Sequence, residues 1–165
     1  MNPIPFLDKT KAYNAFEAFV LPGIRNAISG NHVKGGDLHI VALDPNIRYE
    51  NGRPLPILFE YSFGVEAEWK WPYRKYAYGK AMISWRTGLS SRDVIMTKPH
   101  MLLPGDPLYW GSAIVDGVIS AVSGVQPYFD EMFARMNSAA LCAEATHYAT
   151  LLASDPDAPD FLPTV

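Results

Sequence analysis

Ala113-Ile114-Val115-Asp116-Gly117-Val118-Ile119-Ser120-Ala121-Val122 runs directly into Ser123-Gly124-Val125-Gln126-Pro127-Tyr128-Phe129-Asp130-Glu131. The first stretch is apolar and rich in β-branched residues, so it reads as buried strand, with Gly111-Ser112 and Asp116-Gly117 both offering turns. Gly124 lets the backbone turn sharply at the strand's end. Pro127 suits the first turn of a helix, and Asp130-Glu131 set negative charge near that helix's positive end. A strand that ends in small residues and feeds a helix N-terminus makes a natural ligand wall.

Working outward, the last helix is expected over Gln126 to Ala153, with Phe129, Phe133, Met136, Ala140, Ala143 and His147 on one face. A first helix should start at Lys9 behind an Asp8 cap, with Ala12, Phe16, Phe19, Val20, Ile24, Ala27 and Ile28 recurring at helical spacing. Pro22-Gly23 should kink or interrupt it, and Gly30-Asn31 should end it. Leu38 to Leu43 and Pro56 to Phe63 read as strands, joined by a long turn-rich flap over Asp44 to Leu55. Glu66 to Arg86 reads as the middle helix, followed by a loop to Leu103 with a short helical piece around Ser91 to Met96. Leu108 to Trp110 and Ala113 to Val122 read as the remaining strands. The order α-β-β-α-β-β-α predicts an α/β (α+β) domain with a central antiparallel sheet of about five strands.

The chain has 165 residues, a length that suits one domain, 1–165. An extended arm is expected at 1–7 and an extended tail at 154–165, both bearing apolar residues that suit association of the chain with copies of itself. A net charge of −3 gives no basic footprint for nucleic acid. The single cysteine, Cys142, excludes a disulfide framework. There is no early segment of signal-peptide character and no apolar run of about 18 residues. No membrane partner is therefore expected, and the default location is the cytoplasm.

Pro104-Gly105-Asp106-Pro107-Leu108, an apolar strand pair, and then S-G-x-x-P-x-x-D-E over Ser123 to Glu131 together resemble the C-terminal signature of the GlcG/HbpS-like proteins. Lys80-Ala81 resembles the K-A dipeptide on that group's middle helix. Asp106 stands where the group usually has a second glycine, and Ala121-Val122 where it usually has G-V. The resemblance spans roughly Leu38 to Ala145. It implies a profilin-like three-layer α/β/α sandwich. Members of the group include haem-binding proteins, so the resemblance admits haem as a cofactor, although no cofactor motif is present here.

The candidate chemistry centres on Lys80. It shares a helical line with Trp69, Tyr73, Tyr76 and Ser84, where a core-facing helix usually places apolar residues. Either its stem snorkels and the ammonium sits in water, or the cation faces a pocket and holds an acid. A ligand site built between the middle helix, the Gly105 loop and the Ser123 turn would use Lys80 and His100 as catalytic groups. Tyr73, Arg74, Ser123, Gly124 and Gly105 would bind the ligand. His39 reads as a core histidine and His147 as a packed one, yet each of these, like His100, is a candidate axial ligand should haem bind. Neither the spacing of Cys, His and carboxylates nor any G-x-S-x-G points to a metal or a serine nucleophile. These residues suggest a protein that binds a small organic acid, aromatic acids included, with isomerase- or lyase-type chemistry. The alternatives are a haem-binding or haem-sensing protein and a non-catalytic interaction subunit.

Overall fold

The computed structural model describes residues 6–162. Residues 1–5 of the expected arm and 163–165 of the tail lie outside that range.

Asp8 opens α1 (Lys9–Ala15) by accepting the Lys11 N–H at 2.9 Å, a side-chain cap for one of the unpaired first-turn donors. The helix continues through one widened π turn, Phe16–Val20, into α2 (Leu21–Ser29). The expected interruption at Pro22 therefore takes the form of this turn, in which the Leu21 N–H reaches back five residues to the Phe16 carbonyl. Pro22 has no N–H to give and its ring crowds the preceding turn; widening that turn absorbs the misfit. Of the apolar residues expected at helical spacing here, Phe19 is turned outward.

Strands β1 (Leu38–Leu43), β2 (Ile57–Phe63), β3 (Ser112–Val115) and β4 (Val118–Ser123) form one antiparallel sheet in the order β2-β1-β4-β3. Among the described residues the sheet has four strands, one fewer than expected. Leu108 to Trp110 is irregular chain, and Ala113 to Val122 is a hairpin turning at Asp116-Gly117. That turn puts Asp116 at φ 46° and Gly117 at φ 83°, the left-handed conformations of a two-residue hairpin loop. The Asp-Gly pair therefore folds what reads as one long strand into two.

Every residue of β1 and β4 is buried, because helices cover both faces of the sheet. Leu38, Ile40 and Ala42, with Val118 and Val122, pack under the first helix and α5 (Pro127–Ala153). Phe16 anchors that layer, its ring centroid 5.4 Å from Phe59 and 5.2 Å from Tyr61. On the other face Val41, Leu43, Ile119 and Ala121 meet Ala77, Ala81 and Trp85 of α3 (Tyr73–Thr87).

The middle helix is shorter than its apolar pattern suggests. Residues Glu66–Glu68 form a 3-10 turn, and Trp69 to Pro72 is non-helical chain leading to α3. Pro72 disfavours helix in the residue before it, which sets the boundary. The expected flap is docked on α3: the Trp85 indole N–H donates to the Ile47 carbonyl at 2.8 Å and Tyr49 meets Trp85 edge-on. A short α4 (Ser91–Thr97), capped by Ser90, follows as expected.

α5 follows the expected apolar stripe in part, with Phe133 buried and Phe129, Met136 and Ala140 packed against the core, but its most buried line lies beside that stripe. Its inward residues are Asp130, Glu131, Phe133, Ala134, Asn137, Ser138 and Leu141, while Ala143 and His147 are exposed. Ser120 explains part of the shift: it accepts from the Asn137 amide and the Ser138 hydroxyl, both at 2.9 Å, beneath the sheet. Among the described residues, no helix is long and apolar enough to cross a membrane.

Candidate functional site

The end of β4 and the first turns of α3 and α5 converge on a cavity of about 400 Å³. Lys80, Asp130 and Ser123 supply its polar floor, and Trp71, Tyr73, Tyr76 and Tyr109 its aromatic walls.

Lys80 projects from α3, and Asp130 from the first turn of α5 on the opposite face of the sheet. They meet beside the last residues of β4. The Lys80 ammonium donates to Asp130 Oδ2 at 2.9 Å and to the Val122 carbonyl at 2.9 Å. Asp130 Oδ1 accepts the Val125 N–H at 3.1 Å. The two side chains are only 1% and 3% exposed. Burial pushes Asp130 up to about 6, against the opposing pull of Lys80 and the Val125 and Gly124 N–H groups. Burial also lowers Lys80, against the pull of Asp130. Burial thus opposes the charge on both partners, and each is held charged by the other across the hydrogen bond.

One glycine makes this meeting sterically feasible and a second lets the neighbouring strand ends approach. A Cβ at Gly111 would lie 2.7 Å from Asp130 Cβ and 2.9 Å from Lys80 Nζ. A Cβ at Gly124 would run into the Asp37 carbonyl and the Leu38 side chain. Both residues have φ values in the region that glycine favours, 153° and 148°.

Of the residues expected at the site, Lys80, Tyr73, Ser123 and Gly124 line this cavity. Tyr73 is raised by burial and by the charges of Asp37 and Asp130. Arg74 lies elsewhere: its guanidinium bonds Glu66 at 2.8 Å and sits 3.6 Å from Glu60. His100 is exposed on a 3-10 turn, Pro99–Met101, and does not line the cavity. Gly105 is exposed in the loop that carries Tyr109 to the cavity. That loop is fixed by Asp106, which pairs with Arg86 at 2.7 Å, and by Pro107, packed so close to Gly79 that a Cβ there would lie 2.6 Å from its ring.

None of the histidines lines the cavity. His39 is the satisfied core histidine expected, with Nδ1 2.9 Å from the Ser62 hydroxyl and Nε2 3.0 Å from Glu60 Oε2. Tyr78 donates to the same Glu60 oxygen. Burial pushes His39 down. Among the described residues there is no cluster of three or more His, Cys, Asp and Glu able to hold a metal.

Sequence reasoning took Asp130 for a helix-terminal charge and missed it as the partner of Lys80. The available signal was Lys80 itself: a cation on a buried helix face requires a buried carboxylate. Trp71 and Tyr109, which fall in irregular chain, carried no periodic signal.

No protein-family model matches this chain, and no curated protein matches it in sequence. Its fold is similar to that in the crystal structure of Ybr137w protein, with a TM-score of 0.57 and 16% sequence identity, over 87% of this chain and 80% of that one. At that identity the likeness concerns the fold alone.

Proposed function

We propose that this protein binds a small, flat organic molecule in the cavity, with its polar end on Lys80 and Ser123 and its ring between the tyrosines and Trp71. The observation that carries the reading is a buried, fully built ion pair forming the floor of an aromatic-walled cavity. A few convergent polar groups in an otherwise apolar concavity are the usual composition of a ligand site. Tyr73 and Ser123 strengthen the reading, since neither hydroxyl has a hydrogen-bond partner among the described residues and both face the cavity.

The chemistry such a floor supports is proton transfer, the step that isomerases and lyases require. Lys80 and Asp130 share a hydrogen bond along which a proton can pass, and Ser123 and Tyr73 are placed to hold an oxygen of the ligand. A bound ketone should therefore exchange the proton on the carbon beside its carbonyl with D2O, and Lys80→Met should abolish that exchange. Exchange at equal rates in both proteins removes the catalytic part of the proposal.

Binding itself is tested by ligand-observed NMR with benzamide, benzoate and phenol. At least one is expected to bind the wild-type chain. Ser123→Leu, which fills the cavity floor, should abolish binding, and Arg74→Ala, outside the cavity, should not. Absence of any binding, or binding that survives Ser123→Leu, overturns the assignment.

The GlcG/HbpS-like resemblance and its profilin-like sandwich belong to the same proposal, supported by helices on both faces of an antiparallel sheet. An experimental structure with helices on one face only would remove it. Self-association fits as well: Phe161 is 83% exposed beyond the end of α5. Burying such a side chain on a second copy would contribute roughly 1.5–3 kcal/mol. Light scattering should then report at least a dimer for the full chain and a smaller species for a chain ending at Ser154. A monomeric full chain overturns this.

A further inference from the structure

The floor of the cavity carries no net charge. The Lys80 ammonium has three N–H donors, of which one goes to the Val122 carbonyl and one to Asp130. One donor is left to face a ligand, and its positive charge is already balanced 2.9 Å away. Lys80 is the only cation among the lining residues. The nearby arginines are committed elsewhere: Arg86 to Asp106, Arg92 and Arg135 to Glu131, Arg74 to Glu66 and Glu60. A carboxylate placed on the free Lys80 donor would sit beside Asp130 with one ammonium between two anions. Asp37 adds a further negative charge on the Tyr73 side, where its field and that of Asp130 both reach the phenol.

Building on the ligand-site reading, we infer that the cavity selects an uncharged polar head group, an amide, carbonyl or phenol, and that Asp130 is the residue that rejects the matching carboxylate. The lining suits such a group. Ser123 and Tyr73 hydroxyls can each donate or accept, so an amide or carbonyl finds both a donor and an acceptor. Lys80 supplies one fixed donor, and the aromatic walls take the ring. An uncharged head group gains these bonds without bringing a second negative charge to Asp130, whereas like-charge juxtaposition in a desolvated site costs about tenfold or more in affinity.

A pH dependence follows, with its sign fixed by the groups around Asp130. Lys80 and Tyr73 face it from α3, and the Val125 N–H from the β4–α5 turn. Gly111 approaches it with backbone only. Glu131, next on its own helix, is turned to Arg92 and Arg135. When Asp130 takes up a proton, the Lys80 charge is no longer balanced and can accept a carboxylate. Asp130 is raised to about 6, so affinity for an acid should rise as pH falls toward that value, while affinity for an amide should stay level.

Isothermal titration with benzamide and benzoate tests this on the full chain. At about pH 7.5 benzamide is expected to bind about tenfold or more tighter than benzoate, and the gap should narrow as pH falls to about 5.5. Asp130→Asn should reverse the order, with benzoate the tighter ligand and no longer pH-dependent between those values. Should that variant fail to fold, the wild-type pH series decides alone. Benzoate binding as well as or better than benzamide at about pH 7.5, or a gap that does not change with pH, overturns the selection by Asp130 while leaving the ligand site standing. Failure of both compounds to bind overturns the ligand-site reading beneath it, and this inference with it.

Discussion

Lys80→Met is expected to lower the free energy of unfolding by about 3–5 kcal/mol, because it leaves the Asp130 carboxylate buried without its partner. The magnitude follows from geometry. Asp130 is 2% exposed and its second oxygen is already occupied by the Val125 N–H, so without Lys80 it has no cation to balance it and little access to water. The lost ammonium also frees the Val122 carbonyl at the end of β4. Restoring neutrality should restore stability. Lys80→Met combined with Asp130→Leu removes both charges and is expected to recover most of the loss, as buried pairs exchanged for apolar residues often do. Urea denaturation of the three proteins measures the cycle. A single substitution that costs less than about 1 kcal/mol would mean that Lys80 reaches solvent and that the floor described above does not exist.

Gly124→Ala should be comparably damaging for a different reason. A Cβ there would collide with the Asp37 carbonyl oxygen and with Leu38 Cβ, and the φ of 148° is one that L residues rarely adopt. Backbone strain contributes about 1–3 kcal/mol and overpacking about the same again, so a loss of roughly 2–6 kcal/mol is expected. The entry to β1 and the exit from β4 cross at this point, and separating them would open the cavity floor. Gly105→Ala is the control, since nothing lies within 4 Å of a Cβ there although its φ of 94° is also unusual. Equal thermal shifts for the two variants would show that close packing at Gly124 contributes nothing beyond backbone strain.

The contrast between these two helices shows what could be read from the sequence. Lys80 stood out because α3 surrounds it with Tyr73, Tyr76 and Ser84 at helical spacing, so its line faced inward even though one member is charged. α5 misled for the converse reason. Its buried stripe contains Asp130, Asn137 and Ser138, polar residues that an apolar count passes over, so the apolar line finds Phe129, Phe133, Met136 and Ala140 but runs on to Ala143 and His147, which are exposed. The antiparallel pairing, the Asp8 cap and the start of α5 at Pro127 were legible because each rests on a local rule. The number of strands was not, since Asp116-Gly117 folds a continuous apolar run in half and Leu108 to Trp110 is irregular chain, with Tyr109 set edge-on to Tyr76 of α3. Trp71 and Tyr109 reach the cavity from such irregular segments, where no periodicity marks a residue's direction.

The central claim is that the Lys80–Asp130 floor is the base of a ligand site. Amide chemical-shift mapping of the ¹⁵N-labelled chain during a benzamide titration tests it most directly. The account predicts saturable shifts centred on Ser123, Gly124, Val125, Tyr76 and Tyr109, the residues around the floor and walls. Shifts confined to the Arg74–Glu66 surface or the His100 turn, or no saturable shifts at all, would contradict it.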